Sequence, residues 1–195
     1  MNTTALLIYD DEERFRSGLE DLKQYLDSVG CHTKLHKLDR KSKKTLRAIK
    51  DAIKLLEPNQ LFLLIYNGHG SPHGWSKTCN YKDLIKPLKL VTGELIVIND
   101  TCHGKLLLEH LQKIRESDNT RFIAPWDSEG ESYGGTIFDA VKFWPKGVTT
   151  EDVISGVTFS TLEGDTEYPA QQVWGASLER RFINKERLYK LSRKC

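Results

Sequence analysis

The apolar residues of this chain follow two rhythms. Short unbroken runs, Ala5–Tyr9, Leu61–Tyr66 and Glu94–Ile98, read as strands buried on both faces of a sheet. Between the first two runs the period lengthens. Phe15, Leu19, Leu22, Leu26 and Val29 recur at helical spacing after the acidic stretch Asp10–Glu13, and Gly30 closes that helix. Leu46, Ile49, Ile53 and Leu56 line one face of a second helix, which Ser42 is placed to cap and Pro58-Asn59 ends. Cys31–Leu38 alternates imperfectly and predicts a more exposed strand, whereas the glycines and proline of Gly68–Gly74 predict a loop. Further along come a turn of helix at Tyr81–Leu88, a helix at Lys105–Ile114 and a fifth strand at Thr120–Pro125. After these, a helix at Thr136–Trp144 is stopped by Pro145, another near Thr150–Val157 is capped by Thr149 or Thr150, and Gln171–Trp174 is a last strand. Strands alternating with helices predict an α/β fold, a three-layer α/β/α sandwich around a mostly parallel sheet. Ligands of such sheets bind outside the carboxyl ends of the strands.

Two of the central runs end in chemistry. Leu61–Tyr66 leads into Asn67-Gly68-His69-Gly70, and Leu95–Ile98 into Asn99-Asp100-Thr101-Cys102-His103-Gly104. Thirty-three positions separate His69 from Cys102 (102 − 69), which leaves room for one crossover between neighbouring parallel strands. An imidazole and a thiol at one sheet edge are the minimum equipment of a cysteine nucleophile with its base. His69 and the helix that begins just beyond Cys102 both favour a thiolate. The N–H groups of Gly70 and Cys102 are candidate donors to an oxyanion, since glycine allows close backbone approach. Singly, a cysteine after a strand is commonly a small core residue, and a histidine between glycines is commonly part of a turn. It is the conjunction at the ends of two central strands that points to catalysis.

These residues resemble the caspase-like cysteine peptidases, the group of caspases, metacaspases and their bacterial single-domain relatives. Leu61–Gly70 is similar to the family's apolar strand plus Tyr-Ser-Gly-His-Gly, with Asn67 in place of serine. Ile96–Gly104 is similar to its Asp-Ser-Cys segment, with Thr101 for serine and one residue fewer before Gly104. Asp83–Leu88 resembles the Asp-Leu-Leu-x-Pro-Leu stretch between them, and Tyr168–Gly175 resembles the Pro-Gln-x-(Tyr/Trp)-Gly strand near the family's C-terminus. Phe122–Gly135 resembles its strand and acidic, serine-containing substrate loop. The resemblance implies a cysteine endopeptidase with Cys102 as nucleophile, His69 as general base and acid, and Gly70 and Cys102 as the oxyanion hole. It implies substrate contacts from Asp100 and from Trp126, Asp127 and Ser128. Asp100 matches a metacaspase aspartate that lines the pocket for the residue before the cut, so cleavage after Arg or Lys is expected. Caspases instead select aspartate with arginines, and Arg14 and Arg16 follow the first strand about where one of these falls. Cleavage after Asp is therefore the alternative specificity. The short segment Lys105–Asn119 implies a single unprocessed chain, activated by a partner protein, a neighbouring chain or an ion. Calcium is the candidate ion, with Asp10–Glu13 and Asp127–Glu131 as oxygen donors.

Composition narrows the field only a little. The 195 residues, 38% of them apolar, suffice for one domain, expected over 1–195 with a basic tail from about 180 to 195. Twenty-nine basic against 27 acidic side chains give a net charge of +2, so nucleic acid is not an expected partner. The expected partner is a protein or peptide substrate. No signal peptide or membrane span is expected, and four scattered cysteines (Cys31, Cys79, Cys102 and Cys195) suit a reducing, cytoplasmic setting. A metal site built from His69, His73 and Cys102 or His103 is disfavoured, because Pro72 denies the histidine pair a helical spacing, and no cofactor is expected. A catalytically inactive adaptor on the same fold is the alternative function. A receiver-like signalling domain resting on Asp10-Asp11 would leave both strings unexplained, and Trp75 and Trp126 are candidates to line a substrate groove.

Overall fold

The computed structural model describes residues 3–125, 141–152 and 171–179. Six strands form one sheet: β1 (Thr3–Tyr9), β2 (Cys31–Lys37), β3 (Leu61–Asn67), β7 (Glu94–Asp100), β8 (Thr120–Pro125) and β9 (Gln171–Gly175), in the order β2-β1-β3-β7-β8-β9. Every neighbouring pair is parallel except β8 with β9. The expected α/β/α sandwich is thus present. Helix α1 (Glu13–Ser28) covers one face, laying Leu19, Leu22 and Leu26 on Ala5, Leu7, Leu63, Ile65, Ile96 and Ile98. Helices α2 (Lys43–Lys54), α3 (Tyr81–Leu88) and α4 (Lys105–Leu111) cover the other, over Ile8, Phe62, Leu64, Leu95 and Val97. Packing on both faces is why β3 and β7 read as continuous apolar runs and why their register is fixed. The edge strand β2 keeps His32, Lys34 and Lys37 exposed, which discourages further pairing, while His36 turns to Thr45 of α2.

Two local expectations change, the cap of α2 and the loop after His69, while Thr149 takes the cap position expected of it or Thr150. Ser42 does not cap α2: it sits at φ 55° and makes no side-chain cap bond. Asp39 and Thr45 close that end instead, with the Asp39 N–H donating to Thr45 Oγ1 (2.9 Å) and the Lys44 N–H to Asp39 Oδ2 (3.3 Å). The glycine-rich segment after His69 is not a plain loop. It folds into a small antiparallel sheet of two-residue strands, β4 (Gly70–Ser71), β5 (Gly74–Trp75) and β6 (Cys79–Asn80). A Cβ at Gly74 would lie 2.0 Å from Cys79 O, so only glycine lets these strands pair. Thr149 and Asp152 bond each other's backbone N–H groups in a reciprocal cap, whereas Thr150 turns inward. The helix expected at Thr136–Trp144 is described only from Val141, and Trp144–Lys146 form a 3₁₀ turn (η1); the remainder, and most of Thr150–Val157, lie outside the described residues.

At the opposite end of the sheet from the glycine strings, the antiparallel join of β8 and β9 holds a buried charge network. Arg121, 4% exposed, binds the fully buried Glu179 through Nε (3.2 Å) and Gly175 O through Nη1 (3.1 Å), and pairs with Glu151 through Nη2. The hydroxyls of Thr150 (2.5 Å) and Ser177 (3.2 Å) donate to Glu179. Burial pushes the Glu151 carboxyl up, but the Arg121 hydrogen bond and charge outweigh it and hold the group below the usual range. Removing one member of such a pair strands the other charge, at a cost of about 3–5 kcal/mol, whereas replacing both with apolar groups costs far less. Arg121→Met should therefore lower the urea midpoint by roughly that energy, and Arg121→Met/Glu179→Leu should recover most of it. A single-variant loss no larger than that of an exposed lysine would show that the network contributes nothing. Because the Glu151 pKa is depressed on folding, its share is present above the unfolded carboxylate pKa and fades as pH falls through the folded one.

Candidate active site

The register of β3 against β7 sets the site. Asn67 pairs with Asp100 at the carboxyl end, and the Gly68 N–H extends the join to Asp100 O (3.4 Å). His69 and Cys102 each lie two residues beyond that last pair, in the loops that leave β3 and β7 at the same end of the sheet. The two strings touch through backbone: a Cβ on Gly70 would fall 1.8 Å from Cys102 O and 2.4 Å from Thr101 Oγ1. Only glycine fits between His69 and Ser71 while the loop of Cys102 stays where it is.

Glycine also frees a donor. Antiparallel pairs alternate between hydrogen-bonded and non-bonded positions. The Ser76 N–H bonds His69 O (2.6 Å), which makes 69/76 a bonded position and 70/75 a non-bonded one. The Gly70 N–H therefore turns away from β5.

An aromatic and amide framework holds both loops. Tyr66 and Trp75 stack with ring centroids 4.4 Å apart, and both are fully buried. Burial pushes the Tyr66 phenol far above its usual range, so it stays an O–H and donates to His69 O (2.8 Å). The Trp75 indole N–H donates to Asn99 Oδ1 (2.7 Å), and Asn99 Nδ2 donates to Gly104 O (2.9 Å), across the loop that carries Cys102. Tyr81 adds a hydroxyl bond to His103 O (3.3 Å), where the backbone is left-handed at φ 57°. Trp75 is therefore a structural member of the site and not a groove wall: it has no exposed surface.

The described thiols divide sharply. Cys31 and Cys79 are buried, and burial pushes the Cys79 thiol up to about 12. Cys102 is half-buried, open to a reactant. Asp100 is 3% exposed at the end of β7. His73 is exposed in the turn, its carbonyl accepting the Tyr81 N–H (2.9 Å). Among the described residues, no group of three or more His, Cys, Asp or Glu side chains is placed to hold a metal ion. Much of the acidic stretch after β1 is committed to ion pairs: Asp11 to Lys37 and Arg40, Glu12 to Arg14, and Glu13 to Arg16, which also binds Glu20. Trp126, Asp127 and Ser128, with the Asp127–Glu131 cluster and the basic tail, lie outside the described residues.

One contact escaped the sequence pattern. Because β1 lies beside β3, the loop after β1 reaches His69: Glu12 Oε1 bonds His69 Nε2, and the Phe15 ring meets the imidazole edge-on at 5.2 Å. An acidic run before a helix gives no hint of which neighbouring strand it will face.

No family model matches the chain, and no curated protein matches it closely enough to count. Solved structures do. drICE superposes with a TM-score of 0.58 at 16% identity over 88% of this chain and 87% of that one. Caspase-1 from Spodoptera frugiperda gives 0.56 at 11% over 88% and 87%, and pro-sf-caspase-1 gives 0.61 at 9% over 88% and 90%. No described helix is long and apolar enough to cross a membrane. The fold of this chain is caspase-like.

Proposed function

We propose that the chain is a cysteine endopeptidase that cleaves after arginine or lysine through a Cys102 acyl-enzyme. The observation that supports this reading is the β3/β7 register, which sends the loops of His69 and Cys102 out from the same end of the sheet, with Gly70 seated against the Cys102 backbone. The Cys102 sulfur gives its proton to His69 and attacks the scissile carbonyl carbon. The oxygen takes the negative charge and is met by the N–H groups of Gly70 and Cys102. His69 returns the proton to the departing amine as the C–N bond breaks, leaving a thioester. Water then attacks the thioester, His69 accepts its proton, and the sulfur leaves as the acid product departs.

The acid that protonates the leaving amine stands on β3, so the leaving half of the peptide passes over the β1–β2 side. A cavity of ≈ 450 Å³ lined by Asp10, Asp11, Lys37, Leu38, Arg40, Ser76 and Thr78 lies there. For the acyl half, the Asp100 carboxylate supplies the negative charge beside the nucleophile, and Trp126, Asp127 and Ser128 supply the rest of the wall. Arg14 and Arg16 are each paired with glutamates, which weighs against their selecting an acidic residue. A partner protein or calcium completes activation, and the reaction needs no resident cofactor in a reducing, cytoplasmic setting.

Fluorogenic peptides ending in Arg, Lys, Asp, Asn or Leu, offered with and without calcium, test the reading. Turnover of the basic peptides should fall at least about a thousandfold in Cys102→Ala, with the thermal melt unchanged. Silence of the wild-type chain on every peptide would favour the adaptor. Asp100→Ala should slow the Arg and Lys peptides about 10- to 100-fold relative to Leu; equal loss on all of them would make Asp100 a structural group. Gly70→Ala should cost both turnover and stability, because its methyl would overlap Cys102 O.

A further inference from the structure

His69 is held by more than its strand. Its N–H donates to Asp10 Oδ2 (3.3 Å), and its carbonyl takes the Tyr66 hydroxyl and the Ser76 N–H. Its ring is met by Phe15 at an interplanar angle of 87° and bonded at Nε2 by Glu12. Glu12 is itself pinned: Arg14 Nε binds its second carboxylate oxygen at 2.7 Å and stacks over the Phe15 ring at 4.6 Å. The stretch that carries all three residues is tied back to β3, through the Asp10 N–H to Asn67 O (3.2 Å) and Asn67 Nδ2 to Phe15 O (3.4 Å). The His69 hydrogen bond and the Arg14 charge outweigh desolvation and hold the Glu12 carboxyl below its usual range.

A carboxylate accepts and an imidazole N–H donates, so Glu12 selects the neutral tautomer with its proton on Nε2. The other ring nitrogen is then the base. We propose that Glu12 is a positioning residue for His69: its carboxylate holds the ring by Nε2, stabilises the imidazolium formed when Cys102 loses its proton, and leaves Nδ1 to exchange that proton with the thiol and the departing amine. This rests on the Cys102–His69 reading above. The charged and titratable groups that face His69 among the described residues are Glu12 on its ring, Arg14 behind Glu12, Asp10 on its backbone N–H and the Tyr66 hydroxyl on its carbonyl. Of these, only Glu12 has its carboxylate bonded to the ring itself.

Alkylation of Cys102 by iodoacetamide, followed by peptide mass mapping in the full chain, tests this without a substrate. The wild-type rate should hold a plateau near neutral pH, carried by the thiolate–imidazolium pair. His69→Ala should abolish the plateau. Glu12→Gln should lower it about three- to tenfold, as the loss of one carboxylate contact to the imidazolium implies, and converge with wild type in alkaline solution, where the free thiolate reacts. A Glu12→Gln profile that superimposes on wild type while His69→Ala loses the plateau would overturn the role of Glu12 and leave the dyad intact. A His69→Ala profile like wild type would overturn the dyad itself. Nitrogen NMR of the labelled wild-type chain supplies a check that needs no variant: neutral His69 should carry its proton on Nε2, and an Nδ1–H tautomer would overturn the proposal.

Discussion

Asn99 is the side chain on which both halves of the site depend. Its amide is wholly buried, and both ends are used, the oxygen by the Trp75 indole and the nitrogen in reaching Gly104 O. A buried amide with one end unpaired costs a large part of its desolvation energy, so each bond enforces the other. Trp75 belongs to the segment after His69, and Gly104 closes the loop of Cys102. Through Trp75 stacked on Tyr66, and Tyr66 bonded to His69 O, the same framework reaches the imidazole's backbone. A displacement of either string would break a bond in the other. Two loops at the ends of neighbouring strands thereby behave as one rigid edge, as a bond-making geometry requires.

The two reactive residues are not held in equal environments. The histidine loop is fixed by buried groups beneath it, but its ring is half exposed and is met from the side by Glu12 and Phe15, which Arg14 holds in turn. Cys102 is half-buried over a fully buried Thr101 and a left-handed His103. The imidazole therefore belongs electrostatically to the β1 side of the sheet and the thiol to the β7 side. Charge in the β1–α1 loop thus acts on the imidazole through Glu12, on the far side from the loop of Cys102.

The sequence made the repeating features legible. Continuous runs marked β1, β3 and β7 because burial on both faces leaves no polar position, and α1 and α2 showed in their apolar spacing. The glycine strings marked the site because backbone contact at Gly70 and Gly104 excludes a side chain, a constraint that belongs to single positions. What stayed hidden is non-local or too short to repeat. Strands of two residues have no period, so the sheet after Gly70 looked like a loop. Trp75 looked like a groove wall because tryptophan in a glycine-rich turn gives no sign of whether its indole has a buried acceptor. Ser42 looked like a cap because the competing group, Thr45, lies inside the helix it closes. Arg121 and Glu179 stand 58 residues apart, and Glu12 and His69 stand 57 apart; only the strand order brings them together.

That strand order also explains how the fold is shared at 9 to 16% identity. Two apolar faces on each central strand can be filled by many combinations of Leu, Ile, Val and Phe at the same packing density. The site tolerates far less. It needs a glycine wherever one backbone lies against another, as Gly70 does against Cys102, and a satisfied polar framework beneath the loops. Asn67 standing where serine is usual shows what remains adjustable. Its longer amide reaches Phe15 O, ties the start of α1 to the end of β3, and so brings the residues of the β1–α1 loop up to the imidazole. A change in one strand-end side chain can thus alter which charges surround the base while the sheet that positions it is unaffected.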